Sequence, residues 1–154
     1  MQLKRAGQFL AATVFIFLLT VLGKFRLGNL GYLNLSLAAI MVLCRFFEPP
    51  YALIVAGLPT ALADLVLQYP YYAPYTFIIK GAVGFLTALL SRREKLKSIH
   101  CVFLGLLEVI GYLIADFCMF GKAMALLGVR YSLIQFALSV SVVCVYNHII
   151  RKKV

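Results

Sequence analysis

The chain has 154 residues, of which 64% are hydrophobic and only 13% charged, with a net charge of +10 and a mean hydropathy of +0.98. A soluble domain carries about 25% charged residues, so this composition excludes an ordinary water-soluble fold and points to one integral membrane domain over residues 1–154. The basic residues fall in short clusters between apolar runs rather than along one face. That distribution argues against nucleic acid as a partner and marks the clusters as topology signals.

The first apolar run, 6–22, follows Lys4 and Arg5. It is longer than the core of a secretory signal and ends at Gly23-Lys24 without a small-x-small cleavage site, so it is expected to stay as a spanning helix. Lys24 to Gly31 form a polar loop. A short second segment, 32–47, is stopped by Glu48-Pro49-Pro50, because proline cannot continue a helix. The third segment, 51–68, carries Pro59 and is expected to kink there. A proline and tyrosine turn from Gln68 to Pro74 leads into the fourth segment, 73–90. The hydrophilic stretch Ser91 to Ser98, SRREKLKS, is a loop. The fifth segment, 99–120, and the sixth, 131–150, precede the basic tail Arg151-Lys152-Lys153. The expected fold class is all-α: a polytopic membrane protein of six transmembrane helices with both termini on one side.

Lys and Arg are enriched in cytoplasmic loops. With the N-terminus inside, the inner side collects ten cations (Lys4, Arg5, Arg45, Arg92, Arg93, Lys95, Lys97, Arg151, Lys152 and Lys153) and the outer side four (Lys24, Arg26, Lys122 and Arg130). Both termini are therefore predicted to be cytoplasmic, and the tyrosine turn faces outward.

Ionisable residues inside the apolar segments carry the functional signal. Asp64 and Lys80 lie about 6 Å of helical rise on either side of the turn, at matching depths. An aspartate or lysine near the bilayer centre costs about 2.5–3.5 kcal/mol, so such groups face a partner or a cavity rather than lipid. The pair could clamp two helices, or it could build a polar site under Tyr69, Tyr71, Tyr72 and Tyr75. Glu108 and Asp116 on the fifth segment are separated by about 80° around the helix, with Tyr112 between them. Of the five acidic residues, Asp64, Glu108 and Asp116 are thus within predicted spans. Three carboxylates and one lysine cannot all cancel, so an acid is left for water, a proton or a cationic ligand group; this favours a binding cavity.

Chemistry of other kinds finds no support. Cys44, Cys101, Cys118 and Cys144 form no CxxC pair, and His100 and His148 flank membrane segments, so no metal set emerges. The chain has no GxSxG, HExxH, Walker or dinucleotide motif. We therefore expect no enzyme and no cofactor in this chain; if it moves something uphill, another subunit must hydrolyse the ATP or an ion gradient must drive it. Small residues at helical spacing, Ala52/Ala56, Gly57/Ala61 and Gly84/Ala88, suit close helix packing, and Gly7/Ala11 on the first helix suits contact with another subunit.

The stretch LPTALADLVLQYPYYAPYTFIIKGAVGFLTALL, together with Glu108-Val-Ile-Gly111-Tyr112-Leu-Ile-Ala-Asp116 and the following Gly121, Ala125 and Gln135, resembles the substrate-binding S components of energy-coupling factor (ECF) vitamin transporters. The likeness runs from about Tyr32 to Gln135. It implies capture of a small heterocyclic vitamin or precursor from outside, followed by docking on a scaffold transmembrane subunit powered by two ATPases. On this reading Asp64, Tyr72, Tyr75, Lys80, Glu108, Tyr112, Asp116 and Gln135 bind substrate, and Gly7 and Ala11 dock the scaffold. The chain departs from the family pattern at Asn34-Leu35-Ser36-Leu37, at Glu48-Pro49 and at Gly7-Gln-Phe-Leu-Ala11. Two alternatives are a non-transporting envelope-assembly or cell-shape protein with structural ion pairs, and a lone proton-coupled carrier in which Glu108 titrates.

Overall fold

The computed structural model describes residues 2–23, 25–26, 32–33, 35–93 and 96–153. In chain order they form α1 (Gln2–Leu22), β1 (Phe25–Arg26), β2 (Tyr32–Leu33), α2 (Ser36–Leu43) with a 3-10 turn at Cys44–Phe46, α3 (Pro49–Val66), α4 (Ala73–Arg93) and α5 (Ser98–Lys153). Among the described residues the chain is helical apart from turns and one two-residue antiparallel ladder, in which Phe25 pairs with Leu33 and Arg26 with Tyr32. Among the described residues, α1, α3, α4 and α5 are long and apolar enough to cross a membrane.

Two predicted elements change. The second segment does not start at Tyr32: residues 32–33 belong to the ladder, and the helix begins at Ser36. At eight residues, α2 rises only about 12 Å and cannot cross a hydrocarbon core of about 30 Å. It is instead buried from Ser36 to Met41, packed against α1, α4 and α5. The second change is at 121–130, expected to be a loop. Helix resumes immediately after Gly121, whose φ of 79° and ψ of 179° interrupt α5. That backbone region is accessible to glycine almost alone. The two arms then run back along each other: Gly105 meets Phe136 and Val140, and Glu108 meets Gln135. The apolar stretch Ser98–Ile149 has 52 residues, more than twice the ~20 a single span requires.

The segment boundaries also shift by a few residues: α3 starts at Pro49, and α4 takes in Ser91 to Arg93, which were expected in the following loop. Glu48 caps α3 in extended conformation, and the prolines occupy its first positions, where a missing N–H costs nothing. Its carboxylate lies 3.7 Å from Arg92 at the far end of α4. Helix α3 continues through Pro59.

The turn that brings α4 back beside α3 closes in a specific way. Tyr69 N–H donates to Asp64 O at 2.8 Å and Gln68 N–H to Leu65 O at 3.2 Å, the bond pair of a helix end with a left-handed residue. Here that residue is Gln68, at φ 67°, where glycine would be about 1–2 kcal/mol easier. Backbone then packs on backbone. A Cβ on Gly57 would stand 2.7 Å from Phe77 O, and one on Gly84 2.6 Å from Ala52 O. Small residues allow this approach where no hydrophobic force acts between helices in lipid. The core beside this hairpin is formed by Ile16, Leu37, Ile40, Val55, Val83 and Leu104.

Candidate functional site

A cavity of about 140 Å³ opens between the α3–α4 turn and the Gly121 break, enough for roughly ten waters and so for a small organic group. Its wall is built by element. Helix α3 contributes Asp64, the turn contributes Tyr69 and Tyr72, and α4 contributes Thr76. The first arm of α5 adds Tyr112, Asp116 and Phe120 at four-residue spacing, which is one helix face. The second arm adds Met124, Leu127, Gly128, Tyr131, Ser132 and Gln135, again one face by the i, i+3, i+4, i+7 rule.

Both carboxylates of the wall are withdrawn from solvent, Asp64 at 4% and Asp116 at 7% exposure. The Tyr72 hydroxyl donates to Asp116 Oδ1 at 2.6 Å, and its ring meets Tyr69 edge-on at 6.5 Å and Phe120 at 5.9 Å. Burial pushes the Tyr72 phenol above its ordinary pKa, and its bond to Asp116 and the nearby Asp116 and Asp64 charges push it further. Tyr72 is therefore a donor throughout the physiological range. The other Asp116 oxygen occupies the space where a Cβ on Gly128 would stand. On the opposite wall, the Tyr112 hydroxyl donates to Thr76 Oγ1 at 3.1 Å.

A second polar cluster lies deeper. Lys80 Nζ is 2.7 Å from Glu108 Oε1 and 3.1 Å from Ser36 Oγ, all three residues being buried. Gln135 Nε2 donates to the same Glu108 oxygen at 2.6 Å. Lys80 Nζ also sits 5.9 Å from the Tyr112 ring centroid, within cation–π range. Lys80 thus directs its charge to Glu108 on α5, not to Asp64, which the depth argument had set opposite it. Ser36 supplies the polar contact from α2.

Of the predicted site residues, the structure brings Asp64, Tyr72, Tyr112, Asp116 and Gln135 together around the cavity. Lys80 and Glu108 lie outside its wall and reach it through Gln135 and Tyr112. Tyr75 is half-buried on α4 outside the cavity. Gly7 and Ala11 are exposed on α1, far along the chain from the cavity wall. Sequence reasoning missed Thr76, Phe120, Met124, Leu127, Gly128, Tyr131 and Ser132. The period of 124–135 would have revealed most of them, had 121–130 not been read as a loop. Among the described residues, no group of three or more His, Cys, Asp or Glu could hold a metal.

Long apolar helices around a cavity walled by aromatic rings and carboxylates mark a multi-pass membrane protein. The family match is more specific. The chain belongs to the family described as ECF-type riboflavin transporter, S component, whose model matches residues 5–152, and it is thus a vitamin-transport subunit by descent. It is also similar to an uncharacterized protein of the gap 3′ region of Pyrococcus woesei, with 26% identity over 127 residues, 80% of this chain and 85% of that one. No solved structure matches it.

Proposed function

We propose that this chain is the membrane-embedded, high-affinity substrate-binding subunit of an ECF-type importer and that its ligand is riboflavin or a close flavin relative. The observation that carries this reading is the cavity wall itself, where Tyr72, Tyr112, Phe120 and Tyr131 surround the carboxylates of Asp64 and Asp116 and the amide of Gln135. A planar isoalloxazine ring suits aromatic walls, and the hydroxyls of a ribityl chain are donors that buried carboxylates accept. The description of the matching family supports the same ligand.

The chain acts as one integral membrane domain over 1–154 with six membrane passages, the second a short one in which α2 lies packed among α1, α4 and α5. Its termini are cytoplasmic and the cavity faces outward in a bacterial or archaeal cell membrane. It performs no reaction and carries no cofactor. A scaffold transmembrane subunit docks on α1, where a Cβ on Gly7 would meet nothing within 4 Å and Leu10, Phe15 and Leu22 are exposed, and two ATPases drive release.

Fluorescence titration of the detergent-purified protein with riboflavin, and competition by thiamine, pyridoxine and biotin, tests this reading. Saturable one-to-one quenching by riboflavin, weakened about tenfold or more by Asp116→Asn and untouched by Glu48→Gln, is expected. Absence of quenching by riboflavin contradicts it.

A further inference from the structure

Resting on the riboflavin reading, we propose that the buried Lys80–Glu108 pair is a positioning device that fixes Gln135 as a hydrogen-bond acceptor toward the ligand, so that the site selects a flavin by its ring N–H. A carboxylate can only accept, so the group that Gln135 turns to Glu108 Oε1 at 2.6 Å must be its amide nitrogen. The nitrogen and oxygen of a primary amide point apart. With the nitrogen held by Glu108, which lies outside the cavity wall, it is the carbonyl oxygen that Gln135, a residue of that wall, can offer to a ligand. A carbonyl oxygen has two lone pairs, so it can accept from a ligand beside another partner.

The orientation is held because Glu108 is held. Lys80 Nζ grips the same Glu108 oxygen at 2.7 Å and is itself steadied by Ser36 Oγ at 3.1 Å. Lys80 of α4 and Gln135 of the second arm of α5 therefore converge on one carboxylate oxygen, and Ser36 of α2 holds the lysine. A neutral residue at 108 could both donate and accept, and the Gln135 amide could then turn either way. The ion also touches the site by a second route, since Lys80 sits near the Tyr112 ring, whose hydroxyl is tied to Thr76. Both ligand-facing groups are thus set from behind by one buried pair. This arrangement explains why an ion pair persists where an apolar pair would be no less stable. A buried acceptor aimed at a ligand discriminates strongly against analogues that lack the matching donor. In a flavin that donor is the imide N–H at position 3, the one ring N–H of the oxidised isoalloxazine.

The test measures dissociation constants of riboflavin and N3-methylriboflavin by fluorescence quenching, for the full chain, for Gln135→Leu, and for the double variant Lys80→Met/Glu108→Gln. The natural chain should prefer riboflavin by about tenfold or more, and both variants should bring the two ligands to within about threefold of each other. Equal binding of the two ligands by the natural chain overturns the inference while leaving riboflavin binding intact. Discrimination that survives in Gln135→Leu also overturns it, because the methyl group is then excluded by shape alone. Should the double variant fail to fold, Gln135→Leu still decides whether position 135 reads the N–H. No riboflavin binding by the natural chain overturns this inference together with the functional reading on which it rests.

Discussion

The Tyr72 hydroxyl donates to Asp116 Oδ1 over 2.6 Å, so the turn between α3 and α4 is tied to the first arm of α5 at the edge of the cavity. A hydrogen bond to a charged group contributes about 1.5–3 kcal/mol. In Tyr72→Phe the turn loses this tie while the ring and its contact with Phe120 stay. Association and dissociation rates of riboflavin should both rise, by about three- to tenfold, with the ratio changing less than either rate. Stopped-flow quenching measures them, and unchanged rates would show that the turn does not limit entry.

The same bond sets an alkaline limit. The Tyr72 phenol is raised by burial first and by Asp116 second, so the folded chain holds this proton more tightly than the unfolded chain, whose tyrosines titrate near ~10. Its stabilisation is complete below that value and is lost as pH rises beyond it. The melting temperature of the natural chain should exceed that of Tyr72→Phe at pH 7–9, and the gap should narrow above about pH 10. A gap that stays constant to pH 11 would contradict a protonated Tyr72 as the source.

Gly128 gives Asp116 its place. A Cβ there would occupy the position of an Asp116 carboxylate oxygen. Gly128→Ala should therefore displace the carboxylate and weaken riboflavin binding by about tenfold or more, although alanine is the better helix former. Circular dichroism should show undiminished helix. Binding equal to that of the natural chain would mean that Asp116 does not contact ligand from this rotamer.

The Lys80–Glu108 pair should behave as a buried unit. Removing one partner leaves an uncompensated charge and costs about 3–5 kcal/mol, whereas removing both with apolar groups is often neutral. Lys80→Met should thus lower thermal stability sharply, and Lys80→Met/Glu108→Leu should recover most of the loss. Additive losses in the double variant would mean that the two residues are not coupled.

The parts of this site that were legible in the sequence were the polar residues stranded in apolar runs. Asp64 and Asp116 stood out because lipid tolerates neither without a partner or a cavity, whereas Tyr72 stood out in the aromatic turn and Gln135 through the family resemblance alone. What depth along a helix could not give was direction around it. Asp64 and Lys80 matched in depth, yet Lys80 shares its face of α4 with Thr76, and that face turns to α5, where Glu108 meets it. Tyr75, one residue before Thr76, is rotated by about 100° and leaves the cavity. The other loss lay at 121–130. Two glycines and the cations Lys122 and Arg130 diluted the apolar signal and imitated a loop. Gly121 does break the helix, but Gly128 is there to make room for Asp116, a role that no local pattern announces. The short α2 was likewise misjudged in length, because burial against three helices makes its residues as apolar as a span.

The central claim is that this cavity holds a flavin, and the most direct test is mass spectrometry of the small molecules released on denaturing protein purified gently from its native membrane. The account predicts riboflavin or a close flavin relative at about one per chain. An empty cavity, together with a melting temperature that no vitamin in a panel including riboflavin displaces, would contradict it.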